Sequence, residues 1–440
     1  MSRLWLFPSV ALFAVALVLS RAQAGAAVPP QQDPFYAYTG VTPLGQIAPG
    51  AVLKTRTLAY HVVGLSIPVE AVQLLYRTTG ILGQPTVNVT SVLEPPLRLG
   101  TPNVVSYQSF YDSLSSADEP SYAISGGLTI GGLIPNVEAA LIVPALLAGS
   151  AVVVPDTEGE NADFAAGPEY GMNTLDSLRA AIASPATGLA GTTKIGMLGY
   201  SGGAIATEWA AELAPTYAPD VNRRLVGATF GGVLVDPAHN LSYISGSLLW
   251  SGVLPMALIG IARSFHVDLT PYLNIYGLAI DNKLQNASII NALGAYPGLT
   301  FADLVKSQYA NPDTIPSYVS AANQLIMGTR GTPTVPLLID QGANGALDGT
   351  GGNTPGIGPG DGVMVAGDVR TLAREYCARG VTVQYNEHDL LDHLGTAAVW
   401  IVDAPSWLTA RFAGLPAPQD CAFIPPGNSL APISGGSPST

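Results

Sequence analysis

The chemistry in this chain starts at one serine. Gly199-Tyr200-Ser201-Gly202-Gly203 fits the pattern G-x-S-x-G, in which a serine hydroxyl is lifted onto a tight strand-to-helix turn. Such a hydroxyl is a weak nucleophile, and acyl transfer requires a base held in place by an acid. The base and acid are expected downstream, each on a loop leaving a strand. His388 and His393 both lie in the loop after an apolar strand at Val381–Tyr385. Asp340, Asp348 and Asp361 all follow the strand Val335–Ile339 and are the available acids. His61 comes before the serine, and His239 and His266 lie in a different region, so these read as ordinary surface or core histidines.

The elbow is credible only if a strand precedes it and a helix follows. Ile195–Leu198 is apolar, and Ala204-Ile205-Ala206-Thr207-Glu208-Trp209-Ala210-Ala211-Glu212-Leu213 is a strong helix former. Further strand signals stand at Val104–Tyr107, Ala151–Val154 and Leu225–Phe230. Between them run helical patterns at Pro135–Leu147 and, with Asn173 as N-cap, Thr174–Ala183. Others lie at Ala366–Ala378 and from about Gly395 to Phe412. Alternating strands and helices predict an α/β fold with a mostly parallel sheet covered on both faces.

The strand rhythm stops after Gly231-Gly232 and resumes at Val335. The expected division is a core over 25–235, a helical insertion over 236–330, a returning core over 331–424 and a disordered Pro/Gly/Ser-rich tail over 425–440. Within the insertion, Leu241–Ala262 carries no charge. Its serines, glycines and Pro255 make a poor membrane span; the apolar inner face of a lid and a plain subdomain core are the two remaining readings.

The chain has 440 residues, 18 basic against 31 acidic, and a formal net charge of −13. That balance offers no basic stripe for nucleic acid. Charged residues make up 11%, and the mean hydropathy is +0.32, so the chain must bury much apolar surface or expose some for a purpose. Two cysteines exclude zinc ribbons and iron–sulfur clusters. Residues 1–24 read as a signal peptide, with Arg3, an apolar run and Ala22-Gln23-Ala24 as cleavage site. Export would let Cys377 and Cys421 pair. N-x-S/T sequons stand at Asn88, Asn240 and Asn286.

From about Asp33-Pro34-Phe35-Tyr36 to Gly414 the sequence resembles the secretory lipases, an α/β-hydrolase family that includes lipase A of Candida antarctica and actinobacterial exported lipases. Pro49-Gly50-Ala51-Val52-Leu53, Val105-Ser106-Tyr107-Gln108 with Asp112-Ser113, Val154-Pro155-Asp156 with Glu158-Gly159, the elbow, and Asp392-His393 carry the resemblance. It implies Ser201 as nucleophile, Asp361 as acid and His393 as base. It also implies oxyanion-hole N–H donors at Asp112 and Gly202, and a lid formed by the insertion. The family's compact Q-G-x-x-D-x-x-V-P is departed from: Gln341-Gly342 is followed by a long glycine-rich stretch before Asp361. The implied activity is hydrolysis of acylglycerol esters by a secreted monomer without metal or organic cofactor, at a lipid–water interface. A short-chain carboxylesterase, an acyltransferase and a non-catalytic cell-surface binding protein are the alternatives.

Overall fold

The structure is a computed structural model that describes residues 27–98, 100–352 and 354–436. The expected signal peptide lies outside the described residues. A nine-stranded sheet organises the chain. Its strands are β1 (Val52–Val62), β2 (Leu65–Thr79), β3 (Pro85–Leu93), β4 (Val104–Gln108), β5 (Ala151–Pro155), β6 (Ile195–Tyr200), β7 (Leu225–Gly231), β8 (Leu337–Gly342) and β9 (Val383–His388). Their spatial order is β1-β2-β3-β5-β4-β6-β7-β8-β9. β1, β2, β3 and β5 pair antiparallel. From β5 onward neighbouring strands run parallel. The inner parallel strands β4, β5, β6 and β8 are buried along their length, as both-faced burial requires, whereas the edge strand β9 is half-buried over Asn386–His388.

The antiparallel meander β1–β3 is the part that the short apolar runs do not reveal. β1 alternates exposed and half-buried residues and carries Lys54 and Arg56, and β2 contains Pro68 near its exposed end. The helix expected from Thr174 begins earlier, at Gly167, with Pro168 in its first turn. Asn173 is therefore not its cap. It sits inside the helix, buried, and its Nδ2 donates to the Thr157 carbonyl at 3.0 Å.

Helices Gly167–Ala183 and Gly202–Tyr217 pack against each other on one face of the sheet. Helix His393–Phe412 covers β6, β7 and β8, burying Trp400 and Trp407. Between β7 and β8 the chain forms only helices, among them Pro237–Ile244, Val253–Ser264, Ile275–Leu284 and Pro316–Gln324. These build their own apolar cluster around Met256, Ile280, Leu284, Phe301 and Leu304.

Cys377 and Cys421 are disulfide-bonded, with Cα atoms 5.6 Å apart. The segment after them does not follow the expectation of disorder. Over 425–436 it is held by side-chain amides: Asn428 Nδ2 donates to Asp368 Oδ1 at 2.8 Å, and Ile433 N–H donates to Asn323 Oδ1 at 2.8 Å. Composition shows only the shortage of apolar anchors there, and polar clamps of this kind leave no compositional trace. Two sequons are closed off: Asn88 and Asn240 are buried, and their side-chain amides donate to Asp156 O and Val363 O. Asn286 is exposed. No helix among the described residues is long and apolar enough to cross a membrane.

Candidate active site

Ser201 directly follows β6 and caps the next helix at φ 54°, ψ −120°, a conformation rare for a residue with a side chain. The two glycines of the motif have separate steric reasons. A Cβ on Gly199 would collide with the Gly203 carbonyl, and one on Gly203 would collide with the Gln108 carbonyl of β4. With both absent, the chain turns directly from strand into helix. Ser201 N–H donates to Gly231 O at 3.0 Å, tying the turn to β7.

His393 is the first residue of the last helix, whose N-cap Asp392 accepts from Gly395 N–H at 2.7 Å. Its Nε2 lies 2.9 Å from Ser201 Oγ, and its Nδ1 lies 2.8 Å from Asp361 Oδ2. The other Asp361 oxygen accepts the N–H groups of Met364 at 2.7 Å and Val363 at 3.1 Å. His393 N–H also donates to Asp361 O at 2.7 Å, so backbone and side chain lock the same pair. Asp361 is fully buried and His393 nearly so. The glycine-rich excursion after β8 thus returns to deliver Asp361 beside the sheet end.

Three residues that sequence reasoning does not single out fix the imidazole. Tyr200 Oη donates to His393 O at 2.6 Å, and its ring packs 5.0 Å from the imidazole. Gly232, at φ 55°, gives the ring its space, since a Cβ there would strike His393 Cε1. Trp250, from the insertion, meets His393 edge-on at 5.1 Å. The pair Gly231-Gly232 at the end of β7 was the one available signal for the second of these contacts.

The other candidates go elsewhere. Asp348 Oδ2 accepts from Trp250 Nε1 at 2.8 Å, so it steadies the tryptophan that faces His393. Asp340 lies inside β8, fully buried, and its Oδ1 takes His388 Nε2 at 3.0 Å and Asn386 Nδ2 at 3.1 Å. This is a second His–Asp pair, separate from the serine, and the Asp340 contact holds the His388 imidazolium above its ordinary pKa. His239 pairs with Asp368 at 2.9 Å, and His61 Nδ1 sits 3.2 Å from Ile124 O.

Asp112 and Gly202 line the same cavity as Ser201. Asp112 sits at φ 38°, its carboxyl against the Gly202 Cα, where a Cβ would collide with it. The turn is pinned on both sides: Ile289 N–H donates to Asp112 O at 2.7 Å, and Ser113 N–H donates to Glu158 Oε1 at 3.1 Å. Among the described residues neither the Asp112 nor the Gly202 N–H has a protein acceptor. Burial, reinforced by nearby Glu138, pushes the Asp112 carboxyl well above the ordinary carboxylate range. Burial pushes Glu138 itself up to about 7. The cavity encloses about 150 Å³ beneath the insertion, with Trp250, Val253, Leu254, Leu258 and Ile259 on its wall. The uncharged stretch therefore turns most of its large side chains inward, Leu248 being the exposed exception. Among the described residues no group of three or more His, Cys, Asp or Glu is placed to hold a metal ion.

Residues 127–420 match the family model described as secretory lipase. A probable inactive lipase of Mycobacterium tuberculosis is 32% identical over 396 residues, covering 88% of this chain and 83% of its own. Lipase 4 of Candida albicans is 30% identical over 431 residues, covering 94% of this chain and 88% of its own. The structure of Candida antarctica lipase A in its closed state superposes with a TM-score of 0.76 at 26% identity, covering 94% of this chain and 93% of that one. The rice cell wall degrading esterase LipA of Xanthomonas oryzae shares the fold, with a TM-score of 0.60 at 15% identity over 83% of this chain and 98% of its own. The α/β-hydrolase architecture expected from the resemblance is thereby shown, and the chain belongs to the secretory lipase family.

Proposed function

We propose that this chain is an exported carboxylic-ester hydrolase that cleaves acylglycerols through an acyl-enzyme on Ser201. One observation carries the reading: Ser201 Oγ, His393 and Asp361 stand in an unbroken hydrogen-bonded line, 2.9 Å and 2.8 Å per step. In the first step His393 Nε2 takes the serine proton as Oγ attacks the ester carbonyl. Asp361 holds the Nδ1–H tautomer and stabilises the imidazolium. His393 then gives the proton to the leaving alcohol, and water repeats the sequence on the acyl-enzyme. The chemistry calls on no metal or organic cofactor.

The N–H groups of Gly202 and Asp112 are the proposed oxyanion donors. One such donor is typically worth about 3–4 kcal/mol of transition-state stabilisation. The raised pKa of the Asp112 carboxyl suits that role, because a neutral acid adds no like charge beside a developing oxyanion. The apolar wall between Trp250 and Ile259 suits an acyl chain, and the insertion acts as the lid over it. A disulfide and family membership support export.

A second reading, a non-catalytic binding protein on the same scaffold, is favoured by the relative named a probable inactive lipase. Purified mature protein assayed on p-nitrophenyl esters of graded length and on emulsified triglyceride, with Ser201→Ala beside it, separates the readings. Long-chain preference and turnover of the emulsion support the lipase. Turnover of short soluble esters alone, or transfer to an alcohol acceptor, moves the reading to esterase or acyltransferase. No turnover by the native chain selects the binding protein, and turnover surviving Ser201→Ala removes the mechanism.

A further inference from the structure

The segment from Gly126 to Ser150 turns toward solvent the kind of side chain that a helix ordinarily buries. Residues 133, 137, 140, 144 and 147 follow one another at intervals of three or four, and all five are exposed: Leu, Val, Ala, Pro and Leu. They lie on two helices, Leu133–Val137 and Ala139–Leu147, joined through Glu138 in helical conformation. That spacing aligns them along one outward face. The exposure is large, from 42% at Leu133 to 72% at Leu147. The opposite face is apolar too, with Ala139, Ile142 and Leu146 buried against the sheet.

Two neighbours widen this face. Leu128 and Ile130, just ahead of the helices, are exposed. The tip of the β1–β2 hairpin adds exposed Val63 and Leu65: Gly64 abuts the Leu128 side chain, and Val63 N–H donates to Asn136 Oδ1 at 2.5 Å. A contiguous exposed apolar surface of this kind marks a contact site rather than a random scatter.

The charge pattern limits what can cover it. Between Gly126 and Ser150 the one ionisable side chain is Glu138, which is buried. No Lys, Arg or His occurs between Arg98 and Arg179, while the whole chain carries −13. An anionic membrane, which is held by clustered cations, would be repelled. A surface without net charge is not. The patch also adjoins the cavity. Ile134 packs into the apolar cluster of the insertion. Gly131 is pressed against Ser288, whose neighbour Ile289 lines the cavity and bonds Asp112 O.

We propose that Leu128, Ile130, Leu133, Val137 and Leu147 seat the protein on an uncharged or zwitterionic lipid surface, on the side where Gly131 and Ile134 adjoin the wall of its acyl cavity. The choice of lipid as occupant rests on the ester-hydrolase reading, but binding can be tested without turnover. Ser201→Ala protein is floated with vesicles of pure phosphatidylcholine and of phosphatidylcholine mixed with phosphatidylglycerol. The same background carrying Leu133→Ser and Val137→Ser is run beside it. The expected result is binding to phosphatidylcholine that is insensitive to salt and falls roughly tenfold or more in the double variant. With Ser201 intact, the double variant keeps its rate on a soluble short ester, which shows that it folds, and loses rate on emulsified triglyceride. Equal binding of both proteins overturns the proposal, as does absence of binding to phosphatidylcholine. So does binding that needs the anionic lipid and disappears with salt. A dimer that the double variant dissociates, with lipid binding unchanged, would assign the face to a second copy of the chain instead. If vesicle binding follows expectation while no ester is hydrolysed, the docking face stands and the catalytic reading fails.

Discussion

Asp361→Asn should abolish the proposed turnover through a tautomer rather than through a lost contact. Asp361 Oδ1 already accepts two backbone N–H groups, from Val363 and Met364. In the asparagine variant only the carbonyl oxygen can fill that role, which turns the NH₂ group toward His393 Nδ1, 2.8 Å away. Nδ1 must then accept, so the ring proton moves to Nε2, the nitrogen facing Ser201 Oγ. A base that already holds its proton cannot take another from the serine. The equivalent change in a Ser-His-Asp triad costs about 10⁴ in kcat, or roughly 5 kcal/mol of activation free energy. Asp348→Asn provides the contrast. Its amide oxygen can still accept from Trp250 Nε1, so the expected loss is under roughly tenfold. The assay is initial rates on p-nitrophenyl butyrate, with thermal melts to verify that both variants fold. An Asp361→Asn protein within tenfold of the native rate would refute the assignment, and so would an Asp348→Asn protein that loses as much.

Three further outcomes follow from the geometry. His388→Leu leaves buried Asp340 with Asn386 as its remaining side-chain donor, which should cost about 1–3 kcal/mol of stability in denaturant titration while kcat stays within about tenfold; loss of all activity would make His388 a base. Replacing Cys377 and Cys421 together by serine opens a loop with a sequence separation of 44, for which the chain-entropy model gives about 4 kcal/mol, read as a fall in Tm. The third concerns pH. Burial raises Glu138, Asp156 and Glu169 to about 7 and Asp163 to about 8, whereas unfolded carboxyls titrate near 4. The folded state therefore binds more protons across that window, and stability falls as pH rises through it. His388, raised by Asp340, acts in the same direction: its contribution is full below the unfolded pKa and is lost as pH climbs through the folded one. Calorimetry should show a lower Tm at pH 8 than at pH 5, and a Tm that rises over this interval would contradict the assigned burial.

What the sequence discloses about this site follows how local each constraint is. The elbow is a five-residue steric problem, so Gly199 and Gly203 announce it directly. The helix Ala366–Ala378 and the parallel strands are legible because periodic apolar residues face one packed layer. The proposed triad acid is not a local matter. Asp340, Asp348 and Asp361 are all loop or strand-end aspartates, and only the fold decides that one meets His393, one meets His388 and one meets Trp250. The contacts of Tyr200 and Trp250 with His393 escape notice for the same reason: one reads as the variable position of the elbow and the other as part of an apolar lid face until the last helix brings His393 between them. The meander β1–β3 is hidden by its mixed faces, and the tail by polar clamps.

The secretory lipase family holds members named lipases and one named a probable inactive lipase. The sheet is specified by many apolar residues acting together, whereas the elbow rests on Gly199 and Gly203, where a Cβ would meet backbone carbonyls. The proposed catalysis depends on three side chains from three separate stretches: Ser201 directly after β6, Asp361 from the long loop after β8, and His393 at the start of the last helix after β9. On the proposed mechanism, a single substitution at any of the three would remove the reaction while the residues that build the sheet stay unchanged. On that reading, activity in this chain turns on the line Ser201–His393–Asp361 and not on overall similarity. In this chain the line is complete, supported from behind by Tyr200, Gly232 and Trp250.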